Sequence, residues 1–144
     1  MANQVCVDAS LVLEVLLPHP TSGNAAALWR LWTDSGMDIL APPLFFAELT
    51  SVLRENVHFH RISAEQGERA FNIFLGLRVQ AVTTDDLQPR AWELARKYER
   101  PRAYDAQYLA AASLLGCDLW TADRKLANAV PTPWLKWAGD YSAA

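Results

Sequence analysis

The segment Val5-Cys6-Val7-Asp8 is a short apolar run that stops at an aspartate. An uninterrupted apolar run of this kind is typical of a strand that is buried on both faces of a sheet. Ser10 then offers a helix cap before Leu11, and Pro18 and Pro20 predict the end of that helix. The segment therefore predicts a buried strand followed directly by a helix.

Further along the chain, segments with the character of strands alternate with segments that have helical periodicity. The predicted strands are Asp38–Ala41, Val79–Val82, Asp118–Thr121 and an edge strand at Trp134–Trp137. The predicted helices run from about Ser22 to Thr33, from Pro43 through Leu53, from Ser63 toward Leu75, from Asp85 or Asp86 through Ala95, from Tyr104 to Leu115, and from Asp123 to Ala127. This alternation predicts an α/β fold with a mainly parallel sheet flanked by helices.

Composition limits the classes of protein to which this chain can belong. A length of 144 residues with 51% hydrophobic residues predicts a single domain, residues 1–144, with a sizeable core. The net charge of −3 and the lack of a long basic run count against a protein that binds duplexes through broad electrostatics. Cys6 and Cys117 lie in apolar runs and are expected to be buried thiols. No apolar stretch is long enough to span a membrane and no leader is recognisable, so we expect a cytoplasmic protein.

Four acidic residues lie near predicted strand ends or helix starts. They are Asp8, Glu48, Asp105 and Asp123. Functional groups collect at the carboxyl ends of strands in open parallel sheets, so these acids can converge if the first and fourth strands adjoin. Converging carboxylates repel one another unless a cation lies between them, and magnesium or manganese favours such oxygen ligands. A divalent cation held in this way can support hydrolysis of a phosphodiester.

Each acid also has a purely structural interpretation. Asp8 could cap the following helix, and Asp105 could be a helix N-terminal acid favoured by the dipole. Glu48 could lie on the polar side of its helix. Asp118 competes with Asp123, although its position after Gly116-Cys117 is typical of a turn residue.

Four stretches of the sequence together resemble a known family. They are Val7-Asp8-Ala9-Ser10, Pro43-Leu44-Phe45-Phe46-Ala47-Glu48-Leu49, Tyr104-Asp105-Ala106-Gln107-Tyr108-Leu109-Ala110 and Leu119-Trp120-Thr121-Ala122-Asp123-Arg124-Lys125-Leu126. In this order they resemble the PIN domain, and especially the VapC-type toxins of bacterial toxin–antitoxin pairs. Each stretch is short, but the four span almost the whole chain.

The resemblance implies a role for each matching residue. Asp8, Glu48, Asp105 and Asp123 would be the acidic metal-binding quartet, with Ser10 and Thr121 as secondary polar neighbours of the site. It further implies cleavage of RNA that depends on Mg²⁺ or Mn²⁺, a homodimer, and a small antitoxin protein that blocks the site.

Basic residues near the expected site are few. Arg102 and Arg124 are the nearest candidates for contacts with the phosphates of RNA.

Two other functions are compatible with parts of the pattern. The first is a catalytically inactive PIN-like module that binds RNA or protein without cutting. The second is a small phosphatase or receiver domain, which is disfavoured because Asp8-Ala9-Ser10 lacks the second aspartate that one class of phosphatase needs. An assay for RNA cleavage would distinguish the nuclease from both of these alternatives.

Overall fold

A computed structural model describes residues 3–18 and 23–142 of the chain, and in this part the strands form one parallel sheet. The strands are β1 (Gln4–Val7), β2 (Asp38–Ala41), β3 (Val79–Ala81), β4 (Leu119–Thr121) and β5 (Leu135–Trp137). Their order across the sheet is β3-β2-β1-β4-β5, and every adjacent pair is parallel. The predicted α/β fold is confirmed, and β5 is the edge strand expected from Trp134–Trp137.

The helices connect successive strands and cover the sheet. They are α1 (Ala9–Leu16), α2 (Gly23–Asp34), α3 (Leu44–His58), α4 (Ala64–Gly76), α5 (Leu87–Lys97), α6 (Tyr104–Leu115) and α7 (Arg124–Ala129). A short 3-10 turn at Ala138–Asp140 follows β5. The predicted start of the second helix at Ser22 and the predicted stop at Pro20 lie outside the described residues, as do Met1, Ala2 and residues 143–144. Within residues 3–18 and 23–142, no helix combines the length and apolar character needed to cross a membrane.

The first helix has the second of the two caps that the sequence offers. Asp8, with an extended backbone, is the N-cap of α1, and its side chain accepts a hydrogen bond from the Leu11 N–H. The prediction that Ser10 caps this helix is wrong, because β1 ends at Val7 and the helix begins at Ala9. Ser10 therefore lies inside the first turn.

Two other helix ends follow local rules that the sequence displays. Ser63 and Gln66 form a reciprocal capping box at the start of α4, as their spacing predicts. Gly116 ends α6 with φ +67, a left-handed conformation that glycine adopts without a Cβ clash. Asp86 occupies the N-cap position of α5, but its side chain makes no capping hydrogen bond.

The core lies on both faces of the central strand β1. Val5, Cys6 and Val7 are all buried, as the continuous apolar run predicts. Cys6 is paired in space with Cys117, whose Sγ lies 3.6 Å from its own, and both are free thiols in buried positions. The prediction that the two cysteines belong to the core is confirmed.

Candidate functional site

The adjacency of β1 and β4 brings two of the sequence-predicted residues to the same edge of the sheet. Val7 pairs with Trp120 in parallel register, so Asp8 and Thr121 emerge next to each other at the carboxyl ends of the two strands. Asp8 is 5% exposed and Thr121 is 0% exposed. A carboxylate buried to this degree needs hydrogen bonds or a cation to offset its lost hydration.

Hydrogen bonds hold Asp8 in place and join the two strand ends. Its Oδ1 accepts from the Leu11 N–H at 3.0 Å and from the Ser10 hydroxyl at 2.7 Å. The Ser10 Oγ in turn accepts from the Ala122 N–H at 3.1 Å and lies 3.2 Å from the Thr121 Oγ1. Ser10 and Thr121 are therefore polar neighbours of Asp8, the positions in which the sequence places them.

The environment of Asp8 favours its neutral form. Burial raises the pKa of this carboxyl to about 6, and the negative charge of Asp123 adds to the rise. The hydroxyls of Thr121 and Ser10 and the Leu11 N–H lower the pKa, but burial outweighs them. Asp8 therefore carries an electrostatic penalty at neutral pH that a nearby cation would remove.

Asp123 lies just beyond β4 and is exposed. It is the N-cap of α7, and its Oδ1 accepts from the backbone N–H groups of Lys125 at 3.0 Å and Leu126 at 3.3 Å. Its own N–H donates to the Thr121 Oγ1 at 2.9 Å. Its rival Asp118 precedes β4 and so lies at the opposite, amino end of that strand. The structure thus places Asp123, and not Asp118, near Asp8.

Glu48 and Asp105 form the second part of the acidic cluster. Glu48 is on α3 and Asp105 is in the first turn of α6, and both are partly buried. Burial raises the pKa of Glu48, the charge of Asp105 raises it further, and the nearby Tyr108 hydroxyl acts in the opposite direction. The interaction between their charges shows that α3 and α6 bring these two acids close together.

Asp105 has a partner that the sequence did not reveal. The Arg100 Nη2 lies 3.3 Å from the Asp105 Oδ2, and the two side chains are 27% and 44% exposed. The turn between α5 and α6 folds Arg100 back toward the start of α6. Arg100 and Asp105 are five positions apart, which is not a helical spacing, so the sequence does not predict this pair. An arginine therefore neutralises part of the acidic cluster from within the chain.

Tyr108 is a second residue of the site that the sequence analysis does not single out. Its side chain is fully buried among the core residues, and within the described residues its hydroxyl makes no hydrogen bond of ordinary geometry, although a weaker contact with the Glu48 carboxylate contributes to the pKa shifts of both groups. Burial raises the pKa of Tyr108, and the charges of Glu48, Asp8 and Asp105 raise it further. The negative charges of three of the four acids therefore act on this hydroxyl. The only sequence signal is its spacing of three residues from Asp105, one turn of a helix.

The two arginines that the sequence nominates for RNA contacts are each close to one of the acids in the chain, Arg102 to Asp105 and Arg124 to Asp123. Arg102 is exposed in the turn just before α6. Arg124 is exposed at the start of α7, and its guanidinium lies 4.9 Å from the centre of the Trp137 ring. The stacking orients Arg124 and leaves its donors available at the rim of the guanidinium.

The four acids are chemically suited to bind a divalent cation, although their charges interact in two separate pairs. Asp8 interacts with Asp123, and Glu48 interacts with Asp105. Among residues 3–18 and 23–142, no three acidic, histidine or cysteine side chains form a ready-made metal site. All four donors are carboxylates, which Mg²⁺ and Mn²⁺ prefer, and these ions complete their coordination with water.

Comparison with known proteins assigns this arrangement to a family. The PIN domain family matches residues 5–130, a stretch that contains all four acids. The chain is also 33% identical over 124 residues to ribonuclease VapC9 of Mycobacterium tuberculosis, covering 86% of this chain and 89% of that protein. The chain therefore belongs to the PIN domain family and, within it, to the VapC group.

Solved structures share the fold. VapBC2 of Rickettsia felis, solved bound to a DNA fragment from its promoter, matches with a TM-score of 0.66 at 17% identity, covering 93% of this chain and 96% of that chain. VapC20 of Mycobacterium tuberculosis, described as a toxin that cleaves the sarcin–ricin loop, matches with a TM-score of 0.63 at 23% identity, covering 92% and 97%. These likenesses confirm the PIN fold.

Proposed function

We propose that this protein is a divalent-metal-dependent endoribonuclease, the toxin of a toxin–antitoxin pair. The observation that carries the proposal is the placement of Asp8, Glu48, Asp105 and Asp123. They come from four separate segments of a PIN fold, and their charges interact in the two pairs described above. The relatives named as VapC ribonucleases support the same activity.

The four carboxylates would together hold Mg²⁺ or Mn²⁺. When bound, such an ion supplies positive charge near the phosphate and lowers the pKa of a coordinated water. Asp8 and Glu48, whose pKa values are raised by burial and by the charges of Asp123 and Asp105, are suited to this role, since the cation removes the penalty on their ionised forms.

The rest of the site serves to orient these carboxylates. The Ser10 hydroxyl and the Leu11 N–H hold one oxygen of Asp8, which leaves the carboxylate little freedom to rotate. The N–H groups at the start of α7 hold Asp123 in the same way. Such preorganisation reduces the cost of assembling the site around a cation.

The substrate that we propose is RNA. The chain has a net charge of −3, so it lacks the strong positive field of a general nucleic-acid binder. Contacts with phosphates would then come from few positions, and we propose Arg102 and Arg124 for this role. The cation–π contact of Arg124 with Trp137 supports it, because it restrains a guanidinium that directly follows Asp123 in the chain.

We further propose an antitoxin partner and a homodimer. The Rickettsia structure is a VapBC complex, and a structural match from Klebsiella pneumoniae is described as a toxin–antitoxin complex. Several large apolar side chains of this chain are exposed, as expected of protein contact surfaces. They are Leu31, Phe59, Ile73, Leu75 and Trp92.

The test is cleavage of end-labelled RNA by the purified protein with Mg²⁺ or Mn²⁺. The wild-type protein is expected to cleave the RNA, and EDTA is expected to stop the reaction. Asp8→Ala should reduce the rate by about 100-fold or more, because losing a metal ligand costs at least as much as losing a residue that hydrogen-bonds to a ligand. Asp118→Ala is the matched control, because it removes an exposed aspartate at the other end of β4.

Two outcomes would overturn the proposal. Cleavage by Asp8→Ala at the wild-type rate would exclude the acidic cluster as the active site. Tight RNA binding without cleavage at any metal concentration would select the alternative, an inactive PIN-like binding module.

A further inference from the structure

The hydroxyl of Tyr108 is unusual because it is buried and makes no well-formed hydrogen bond. The side chain is 2% exposed and is the largest of the fully buried side chains. Within the described residues its hydroxyl makes no hydrogen bond of ordinary geometry, and its contact with the Glu48 carboxylate is weak. Buried polar groups in proteins are nearly always paired, so an exception of this kind calls for an explanation.

Core packing explains the ring of Tyr108 but not its oxygen. A phenylalanine would fill the same space without bringing a polar group into the core. The oxygen therefore needs a partner in some state of the protein.

The surroundings of the hydroxyl point to the acidic cluster. Tyr108 follows Asp105 by one turn of α6, so the two side chains project from the same side of the helix. Glu48 lies close enough for its charge and the hydroxyl to affect each other. A tyrosine hydroxyl keeps its proton at neutral pH, so it is available to donate to one of these carboxylates.

We propose that Tyr108 is a positioning residue of the acidic site, whose hydroxyl donates a hydrogen bond to the Glu48 carboxylate when a divalent cation binds. The inference rests on the proposed function, since it assigns Glu48 to the cation. A hydrogen bond donated to Glu48 fixes which of its carboxylate oxygens faces the ion. Hydrogen bonds to metal ligands have this effect at other metal sites.

If Tyr108 has this role, Tyr108→Phe should have opposite effects in the cation-free and the cation-bound protein. Without a cation, Tyr108→Phe removes a buried hydroxyl that makes no well-formed hydrogen bond, so the melting temperature in EDTA should stay the same or rise by about 2–4 °C. With a cation, the variant lacks the donor to Glu48. The dissociation constant for Mn²⁺ should therefore increase by about 10-fold.

The experiment titrates Mn²⁺ into the purified full chain and measures free Mn²⁺ by electron paramagnetic resonance. Wild type, Tyr108→Phe and the control Tyr141→Phe are compared, and each is also melted in EDTA. Tyr141 packs its ring edge-on against Trp120, so its variant makes the same chemical change away from the acids. Weaker Mn²⁺ binding only in Tyr108→Phe, without a loss of melting temperature, supports the proposal.

The results separate failure of this inference from failure of the proposed function. If the wild type binds no Mn²⁺, the nuclease proposal falls and the inference falls with it. If the wild type and Tyr108→Phe bind Mn²⁺ equally, only the role of Tyr108 is wrong. Should the variant fold poorly, wild-type protein labelled with ¹³C at the tyrosine Cζ provides a second measurement. Mg²⁺ should then shift the Tyr108 resonance, and no shift would overturn the role.

Discussion

Asp8 should destabilise the cation-free protein at neutral pH, although it caps a helix. Burial raises the pKa of this carboxyl from 3.8 to about 6. At about 1.4 kcal/mol per pKa unit, ionising the buried group costs the folded state about 3 kcal/mol. Well below pH 3.8, the carboxyl is protonated in both folded and unfolded states, and the cost is absent. It grows as the pH rises and is complete above about pH 6.

Replacing Asp8 by asparagine separates the charge from the hydrogen bonds. Asparagine keeps an oxygen that can accept from the Leu11 N–H, but it cannot ionise. In EDTA at pH 7.5, the free energy of unfolding of Asp8→Asn should therefore exceed that of wild type by about 3 kcal/mol. The difference should shrink toward zero as the pH falls to about 4. Denaturant unfolding across this pH range, followed by circular dichroism, measures both values.

Adding Mn²⁺ should reverse the order of stability, because only the wild type retains the full set of charged ligands. Asp118→Asn is the control, and its stability should differ little from wild type at any pH, since its side chain is exposed. The reasoning is refuted if Asp8→Asn is less stable than wild type by the same amount at pH 4 and pH 7.5. That result would mean that Asp8 acts as a helix cap whose charge carries no penalty.

Two further predictions concern the groups that hold the acids. Arg100→Gln removes the cation 3.3 Å from Asp105. The pair is partly exposed, so stability should change by less than about 1 kcal/mol, whereas Mn²⁺ should bind several-fold more tightly because a competing positive charge is gone. Unchanged or weaker Mn²⁺ binding would contradict this. Ser10→Ala removes the hydroxyl that joins Asp8 to the Ala122 N–H, and should lower the free energy of unfolding by about 1–2 kcal/mol. Thermal unfolding tests it, and a melting temperature equal to wild type would show that water replaces the hydroxyl.

Much of the fold could be predicted from local sequence patterns. The run Val5-Cys6-Val7 could be recognised as a doubly buried strand because its residues are all apolar and it is short. The capping box at Ser63 and the left-handed end of α6 at Gly116 follow from chemistry within a few residues. The cap of α1 could not be resolved in the same way, because Asp8 and Ser10 both carry a side chain able to cap.

The acids of the site were identified from four short stretches that resemble a family, and their mutual positions depended on the strand order. Asp8 and Asp123 lie 115 positions apart in the chain, and no local pattern states that β1 and β4 are neighbours. Only the parallel pairing of these strands brings the two carboxylates to one edge. The pKa shifts of Asp8 and Glu48 likewise depend on burial, which belongs to the assembled fold.

The sequence by itself determined the order of strands and helices and the buried first strand, and it nominated the candidate acids, because hydrophobic periodicity and short motifs are properties of neighbouring residues. The tertiary structure alone decided that Arg100 pairs with Asp105 and that the Tyr108 hydroxyl is buried beside Glu48 without a well-formed hydrogen bond. The first contact depends on how a turn folds back, and the second on how α3 packs near α6. Both are relations across space between segments, so spacing along the chain does not encode them.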